Sequence, residues 1–161
     1  MANWYPCCCE SGCELCSGST PAEVDLSITG ITSTSRNCSL CESLDGTYTL
    51  TQNATNKCLY EFEDTYDVGD TGDPGQCEAV TLTLTAEVII AGSFALWQVT
   101  IVGTDSSDAG NITLRQSPAP TSTTIDCTAT ISTWSLYTSQ QWTSCNLFNV
   151  WFSGTVILDP Q

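Results

Sequence analysis

The chain has no histidine, and only 3 of its 161 residues are lysine or arginine, against 18 aspartates and glutamates. Each shortage excludes something. Without imidazole there is no Ser-His-Asp or Cys-His nucleophile system, no imidazole metal ligand and no histidine pH switch. The formal net charge of -15 repels polyanions, so neither nucleic acid nor an anionic membrane surface is an expected partner. Long apolar runs are also missing; none reaches the ~18 residues of a membrane span. The opening Met1-Ala2-Asn3-Trp4-Tyr5-Pro6 lacks the basic and apolar regions of a secretory leader. Cysteine, by contrast, is abundant at 11 residues, a density that reads as disulfides in an oxidising setting. A hydrophobic content of 41% supports a real core, and the length suits a single domain. Cysteines without a leader fit a virion protein made in the cytosol and oxidised after lysis, a chain whose leader has been removed, or cysteines that hold metal.

Along the chain the dominant period is two. Residues 1–21 are a cysteine-rich, irregular arm with no periodicity. From residue 22 to residue 161 the pattern is that of a β domain. Val24, Leu26 and Ile28 alternate with polar residues, as do Tyr48 and Leu50, and each set reads as a half-buried strand. Cys58, Tyr60 and Phe62 share one strand face. Val80 to Val88 and Phe94 to Val102 form a long hairpin turned at Ala91-Gly92. Ile112 and Leu114 mark a short strand. Ile125, Cys127, Ala129 and Ile131 alternate again and read as another. The last runs from Phe148 to Leu158, with Gly154 as a bulge. No amphipathic helix is present. Threonine and serine suit exposed strand faces. The expected fold is all-β, an antiparallel β-sandwich of about eight strands carrying an irregular Cys-rich N-terminal arm.

Cysteine spacing is the sharpest signal. Cys13-Glu-Leu-Cys16 and Cys38-Ser-Leu-Cys41 have the spacing of a four-cysteine zinc ribbon, because each C-x-x-C turn can offer two thiolates to one tetrahedral ion. The single residues Cys58, Cys77, Cys127 and Cys145 are scattered over separate strand edges, as inter-strand disulfides are. Disulfides are therefore expected for the C-x-x-C pairs too, with zinc as the alternative. The odd total leaves a thiol over, and Cys7-Cys8-Cys9 is its expected source. That triplet, with Trp4 and Tyr5, is read as an intermolecular disulfide or an arm contact. Glu63, Asp64, Asp67, Asp70 and Asp73 lie on a glycine-rich stretch where carboxylates could converge on one calcium ion, which takes about six to eight oxygens. Trp134 and Trp142 flank a Ser/Gln-rich loop and are read as a ligand surface for stacking a glycan. No carboxylate pair is singled out for glycosidase chemistry. The expected protein is not an enzyme and requires no cofactor.

The segment Cys38-Ser-Leu-Cys41-Glu-Ser-Leu-Asp-Gly-Thr-Tyr-Thr-Leu, with the earlier Cys13-Glu-Leu-Cys16-Ser-Gly-Ser-Thr-Pro, resembles stretches of small cysteine-rich β proteins of bacteriophages, and of planctomycete-type extracellular proteins. The resemblance covers mainly residues 13–60 and brings no catalytic residue with it. It implies a structural part on the exterior of a virion, a capsid decoration or cement protein, partnered by other virion proteins and by itself. The alternatives are a tail-fibre or host-adhesion module, a secreted bacterial adhesin or fibre subunit, and a four-cysteine zinc-ribbon interaction module.

Overall fold

The structure is a computed structural model and describes residues 12–30, 45–66, 79–104, 109–140 and 154–161. Among these residues every regular element is a β-strand. The strands are β1 (Glu23–Thr29), β2 (Gly46–Gln52), β3 (Leu59–Tyr66), β4 (Val80–Ala91), β5 (Phe94–Thr104), β6 (Ala109–Gln116), β7 (Trp134–Gln140) and β8 (Thr155–Pro160). The all-β, antiparallel, eight-strand architecture expected from the period-two pattern is present. Its layering is a rolled form of the sandwich: the strands make one continuous sheet in the order β7-β6-β5-β4-β3-β2-β1-β8, curled until its two edges approach. It is nearly a closed barrel.

The roll follows from which residues are apolar. Val24, Leu26 and Ile28 of β1 lie opposite Leu50, Tyr48 and Gly46 of β2. On the other side of β1 the same three residues face Pro160, Leu158 and Val156 of β8. The alternating residues of β4, Val80 to Val88, are buried, as are Ala95, Trp97, Val99 and Ile101 of β5. All point to one face, and no helix among the described residues is available to cover it. Curling the sheet brings that face against itself. Trp97, the largest fully buried side chain among the described residues, packs its ring 5.7 Å from that of Tyr60. Its indole N–H has no hydrogen-bond partner among the described residues. An orphaned donor costs roughly 1–3 kcal/mol, while burying an indole gains about 4–6 kcal/mol at 25 cal/mol per Å², so the ring stays inside.

The outer face is polar and held by hydroxyls. Directly opposed residues bond across strands: Thr49 Oγ1 donates to Asp25 Oδ1 at 2.7 Å, Thr83 Oγ1 to Glu63 Oε2 at 3.3 Å, and Ser27 meets Thr47 at 2.8 Å. Such cross-strand pairs are the unit by which a sheet is stabilised.

Two elements differ from the sequence reading. Residues 125–131 are not a strand. Asp126 Oδ1 accepts from both the backbone N–H and the hydroxyl of Thr128, an Asx turn that breaks the extended chain. The two Thr128 bonds, side-chain first, also hold the Asp126 carboxyl below the usual carboxylate range. The alternation arises because this strap, residues 117–133, anchors on the barrel at intervals. Ile125 bridges Cys16, and Ile131 bridges Leu158. The eighth strand is instead β7, within the stretch read as a Ser/Gln-rich loop. Gly154 lies just before β8. Its backbone passes close to Gly30, where an added Cβ would sit 2.6 Å from Gly154 Cα. The start of the arm, residues 12–21, packs on the barrel, and Cys13 is part of the core.

Because neighbouring strands are antiparallel and mostly sequential, the connections sort to two ends. One end, called lower here, carries residues 12–22, the 53–58 turn, the Gly92-Ser93 hairpin turn and the strap. Gly92 has φ 67°, which the tight two-residue turn needs. At the upper end β1, β3, β5 and β7 finish and β2, β4, β6 and β8 begin.

Two substitutions test this packing. Gly30 has φ +84° and meets Gly154 backbone, so Gly30→Ala is expected to cost at least about 2 kcal/mol in urea unfolding, from left-handed strain plus the clash. Tyr60 is fully buried and donates to Pro21 O at 2.7 Å. Burial pushes its hydroxyl up to about 12, partly offset by a hydrogen bond with Gln52. The unfolded chain releases this proton near pH 10 and the folded one near pH 12, so the contribution is complete below pH 10 and is lost as pH rises. Stability should fall by about 2–3 kcal/mol across that window. Tyr60→Phe should start lower, because Pro21 O loses its donor, and should lack this decline when denaturation midpoints are compared at about pH 9 and about pH 11.

Candidate functional site

Both disulfides among the described residues lie at the lower end. Gly12 begins the described chain where an added Cβ would meet Thr20. The next residue, Cys13, accepts from Cys16 N at 3.0 Å to form a one-turn reversal. Thr20 Oγ1 accepts the Cys13 backbone N–H at 2.9 Å. The reversal turns the two sulfurs of the C-x-x-C toward different partners. Cys13 is bonded to Cys58, in the turn just before β3, and Cys16 to Cys127, in the strap. The Cα separations of 4.6 and 5.4 Å lie within the span a disulfide bridges. The strap is further held by Ser17 N to Ile125 O at 2.7 Å and Ile125 N to Leu15 O at 2.9 Å. Arm and strap thus run under the barrel as a two-strand parallel bridge, one disulfide tying the arm to the turn before β3 and the other tying arm to strap.

In this oxidised state Cys13 and Cys16 have no thiolate to give a metal, so a four-thiolate site built from both C-x-x-C pairs would require both bonds to be reduced. Cys38, Cys41, Cys77 and Cys145 lie outside the described residues, as do Cys7, Cys8, Cys9, Trp4 and Tyr5. Of the calcium set, Glu63 and Asp64 are described and Asp67, Asp70 and Asp73 are not. Glu63 and Asp64 are consecutive on β3 and face opposite sides of the sheet. Glu63 accepts from Thr83, and Asp64 accepts the backbone N–H of Thr65 at 2.8 Å. Among the described residues no group of three or more acidic, cysteine or histidine side chains is placed to hold a metal.

The second feature is the seam where the sheet fails to close. Strap residue Ile131 exchanges two backbone bonds of 2.8 Å with Leu158 of β8. One step further, Trp134 spends its indole N–H on Val156 O at 2.8 Å. Trp134 is therefore half-buried against the core and works as a seam-closing group. Trp142, its expected companion, lies outside the described residues. Among the described residues, the edges of β7 and β8 part beyond Trp134 around a cleft of about 430 Å³ whose walls include Ile112, Leu114, Leu136 and Val156. Its polar lining is hydroxyl, from Ser132, Thr133 and Thr155. None of its wall residues titrates in the ordinary range, so these walls supply no acid or base.

Sequence reasoning missed a third feature on the outer face. A bulge between Thr113 and Leu114 shifts the β6–β7 register and leaves Tyr137 as the extra residue, 55% exposed. Arg115 of β6 stacks on it, with Cζ 3.4 Å from the ring centroid. Its Nε donates to Gln98 Oε1 at 3.0 Å. A lone arginine followed at some distance by a Tyr in a polar stretch gives no signal in the sequence, because only the pairing of β6 with β7 brings the two together.

No protein-family model, curated protein or solved structure matches this chain.

The disulfides close loops of 45 and 111 residues. Chain entropy puts each at roughly 4–5 kcal/mol, with measured values for such bonds at about 2–5 kcal/mol. The paired variants Cys13→Ser/Cys58→Ser and Cys16→Ser/Cys127→Ser are each expected to lose about 2–5 kcal/mol in chemical denaturation. The second should also expose strap amides, read as faster hydrogen exchange at Ile125 and Ser17.

Proposed function

We propose that the chain is a non-enzymatic structural protein of a phage particle's exterior, a capsid decoration or cement protein. The observation that carries this reading is the pair of disulfides that tie the arm to the turn before β3 and to the strap. Bonds of this kind persist outside a reducing cytosol and hold a small domain together where no chaperone can restore it. The phage assignment within that class rests on the motif running from Cys38 to Leu50. Neither zinc nor calcium is needed for the role.

A host-adhesion module is the second reading, favoured by the Tyr137–Arg115–Gln98 face. An exposed aromatic ring beside planar hydrogen-bonding side chains suits stacking of a glycan ring.

The test is the protein composition of purified particles from the source of the sequence. With only 3 lysines and arginines in the chain, peptides should be made with a protease that cuts at acidic residues. The expected result is this chain at a copy number comparable with the major shell protein. Scarcity in the particle, with glycan binding lost in Tyr137→Ala, would replace the decoration role by adhesion. Recovery from cytosol with Cys13 and Cys16 as free thiols would overturn both.

A further inference from the structure

The two disulfides start from one C-x-x-C turn but sit in different surroundings. Each joins a partly exposed residue, Cys58 or Cys16, to a buried one, Cys13 or Cys127. A cleft of about 240 Å³ opens onto Cys13 and Cys58, with Glu14, Thr55, Asn56 and Lys57 also in its wall. Lys57 offsets Glu14 there, so an incoming thiolate is spared the repulsion that a net charge of -15 exerts elsewhere. Cys127, by contrast, has no exposed surface and belongs to the core, with Ile125 O 3.8 Å from its sulfur. Attack on a disulfide expels one sulfur as a thiolate. Attack on Cys58 expels Cys13, whose charge faces the cleft and its water. Attack on Cys16 would expel Cys127 and leave a charge among apolar groups, which is costly. Attack on Cys127 itself is blocked by its burial.

The segments on either side of the Cys13–Cys58 bond keep other ties when it opens. In the 53–58 turn, Asn53 Oδ1 accepts the backbone N–H groups of Thr55 and Asn56, and Asn56 Oδ1 accepts that of Cys58. Cys58 O accepts the N–H of Val88 on β4. On the arm, the Cys13 N–H is held by Thr20, and Cys16, Leu15 and Ser17 are held by the strap. Opening this bond is a local event; reaching Cys127 requires the strap to lift, a larger opening. We propose that Cys13–Cys58 is a reversible clip, opened by small thiols while the barrel and the Cys16–Cys127 bond stay intact. The thiolate of a small thiol such as glutathione attacks Cys58 Sγ and forms a mixed disulfide; Cys13 leaves as a thiolate and takes a proton from water. A second thiol attacks the mixed disulfide, frees Cys58 as a thiol and leaves with the first as a small-molecule disulfide. Two electrons and two protons end on Cys13 and Cys58, and the reverse sequence closes the clip. The arm is thus released from the turn before β3 in a thiol-rich medium and fastened to it in an oxidising one. The clip does not rest on the particle role proposed above.

The experiment exposes the full-length oxidised protein to reduced glutathione without denaturant. Samples are quenched with an alkylating reagent, and the four cysteines are mapped by mass spectrometry. Cys13 should become alkylatable, and Cys58 should carry glutathione and then become alkylatable, at least about tenfold faster than Cys16 and Cys127. While the clip is open, the amides of Ile125 and Ser17 should keep their protection from hydrogen exchange. Oxidised glutathione should then restore Cys13–Cys58. Equal rates for the two bonds, or earlier opening of Cys16–Cys127, overturn the proposal. So does transfer of Cys13 or Cys58 to any other cysteine of the chain, a Cys13–Cys16 bond included. A Cys13–Cys58 bond that opens only when the strap amides lose protection, or only when the barrel unfolds, overturns it as well.

Discussion

Everything in this molecule depends on one apolar sheet face having to cover itself. The inward residues of β1, β2, β3, β4, β5, β6 and β8 make a continuous stripe, and the described chain contains no helix to lay over it. Leaving the stripe in water would forfeit the largest favourable term in folding. Rolling the sheet removes it from water, and the natural twist of β-strands makes the roll accessible. Among the described residues closure is incomplete where β7, bulged at Tyr137, faces β8. Among the described residues the seam is shut at one end, by Ile131 and Trp134, and the two edges part beyond them.

A rolled sheet has two open ends, and the lower one is covered by segments with no regular structure of their own. The arm and the strap each make few backbone bonds to the barrel, too few to outweigh the entropy of ordering them, at about 1–2 kcal/mol per residue. Covalent bonds change that balance. Once Cys13 is tied to Cys58 and Cys16 to Cys127, the unfolded chain has already lost much of the freedom that folding would remove. The short hydrogen bonds between Leu15, Ser17 and Ile125 then form between segments that are already neighbours. Leu15 and Cys16 also pack on the core, so the cover is part of the hydrophobic interior as well as its lid.

Much of the barrel was legible in the sequence, because burial of one sheet face imposes period two, and period two survives in β1, β2, β4 and β5 whatever the sheet packs against. The same fact explains what was not legible. Alternation marks a face but does not say which face it meets, so two stacked sheets and one rolled sheet give the same pattern. Residues 125–131 alternate because a strap dips onto the core at intervals, and an Asx turn at Asp126 separates that from a strand. β7 hides because a bulge at Tyr137 breaks its alternation and a sheet edge tolerates polar residues on both faces. At the candidate site, the cysteines announced cross-linking but not partners: the two sulfurs of one C-x-x-C turn diverge to residues 45 and 111 positions away, a choice made by the strand order. Glu63 and Asp64, read as neighbours on one loop, fall on a strand that turns them to opposite sides.

The hydroxyl bonds on the outer wall bear on how the molecule meets changing ionic strength. Proteins that rely on surface ion pairs loosen as dissolved salt screens the attraction. Here Asp25, Glu63 and Asp159 are held by threonine hydroxyls, and Glu61 and Glu87 by asparagine amides. Those contacts have no opposing cation to be screened. What added electrolyte does weaken is the mutual repulsion of an acidic surface. The wall is therefore tightened by brine and keeps its directional contacts in fresh water, while the excess negative charge keeps neighbouring barrels from sticking to one another.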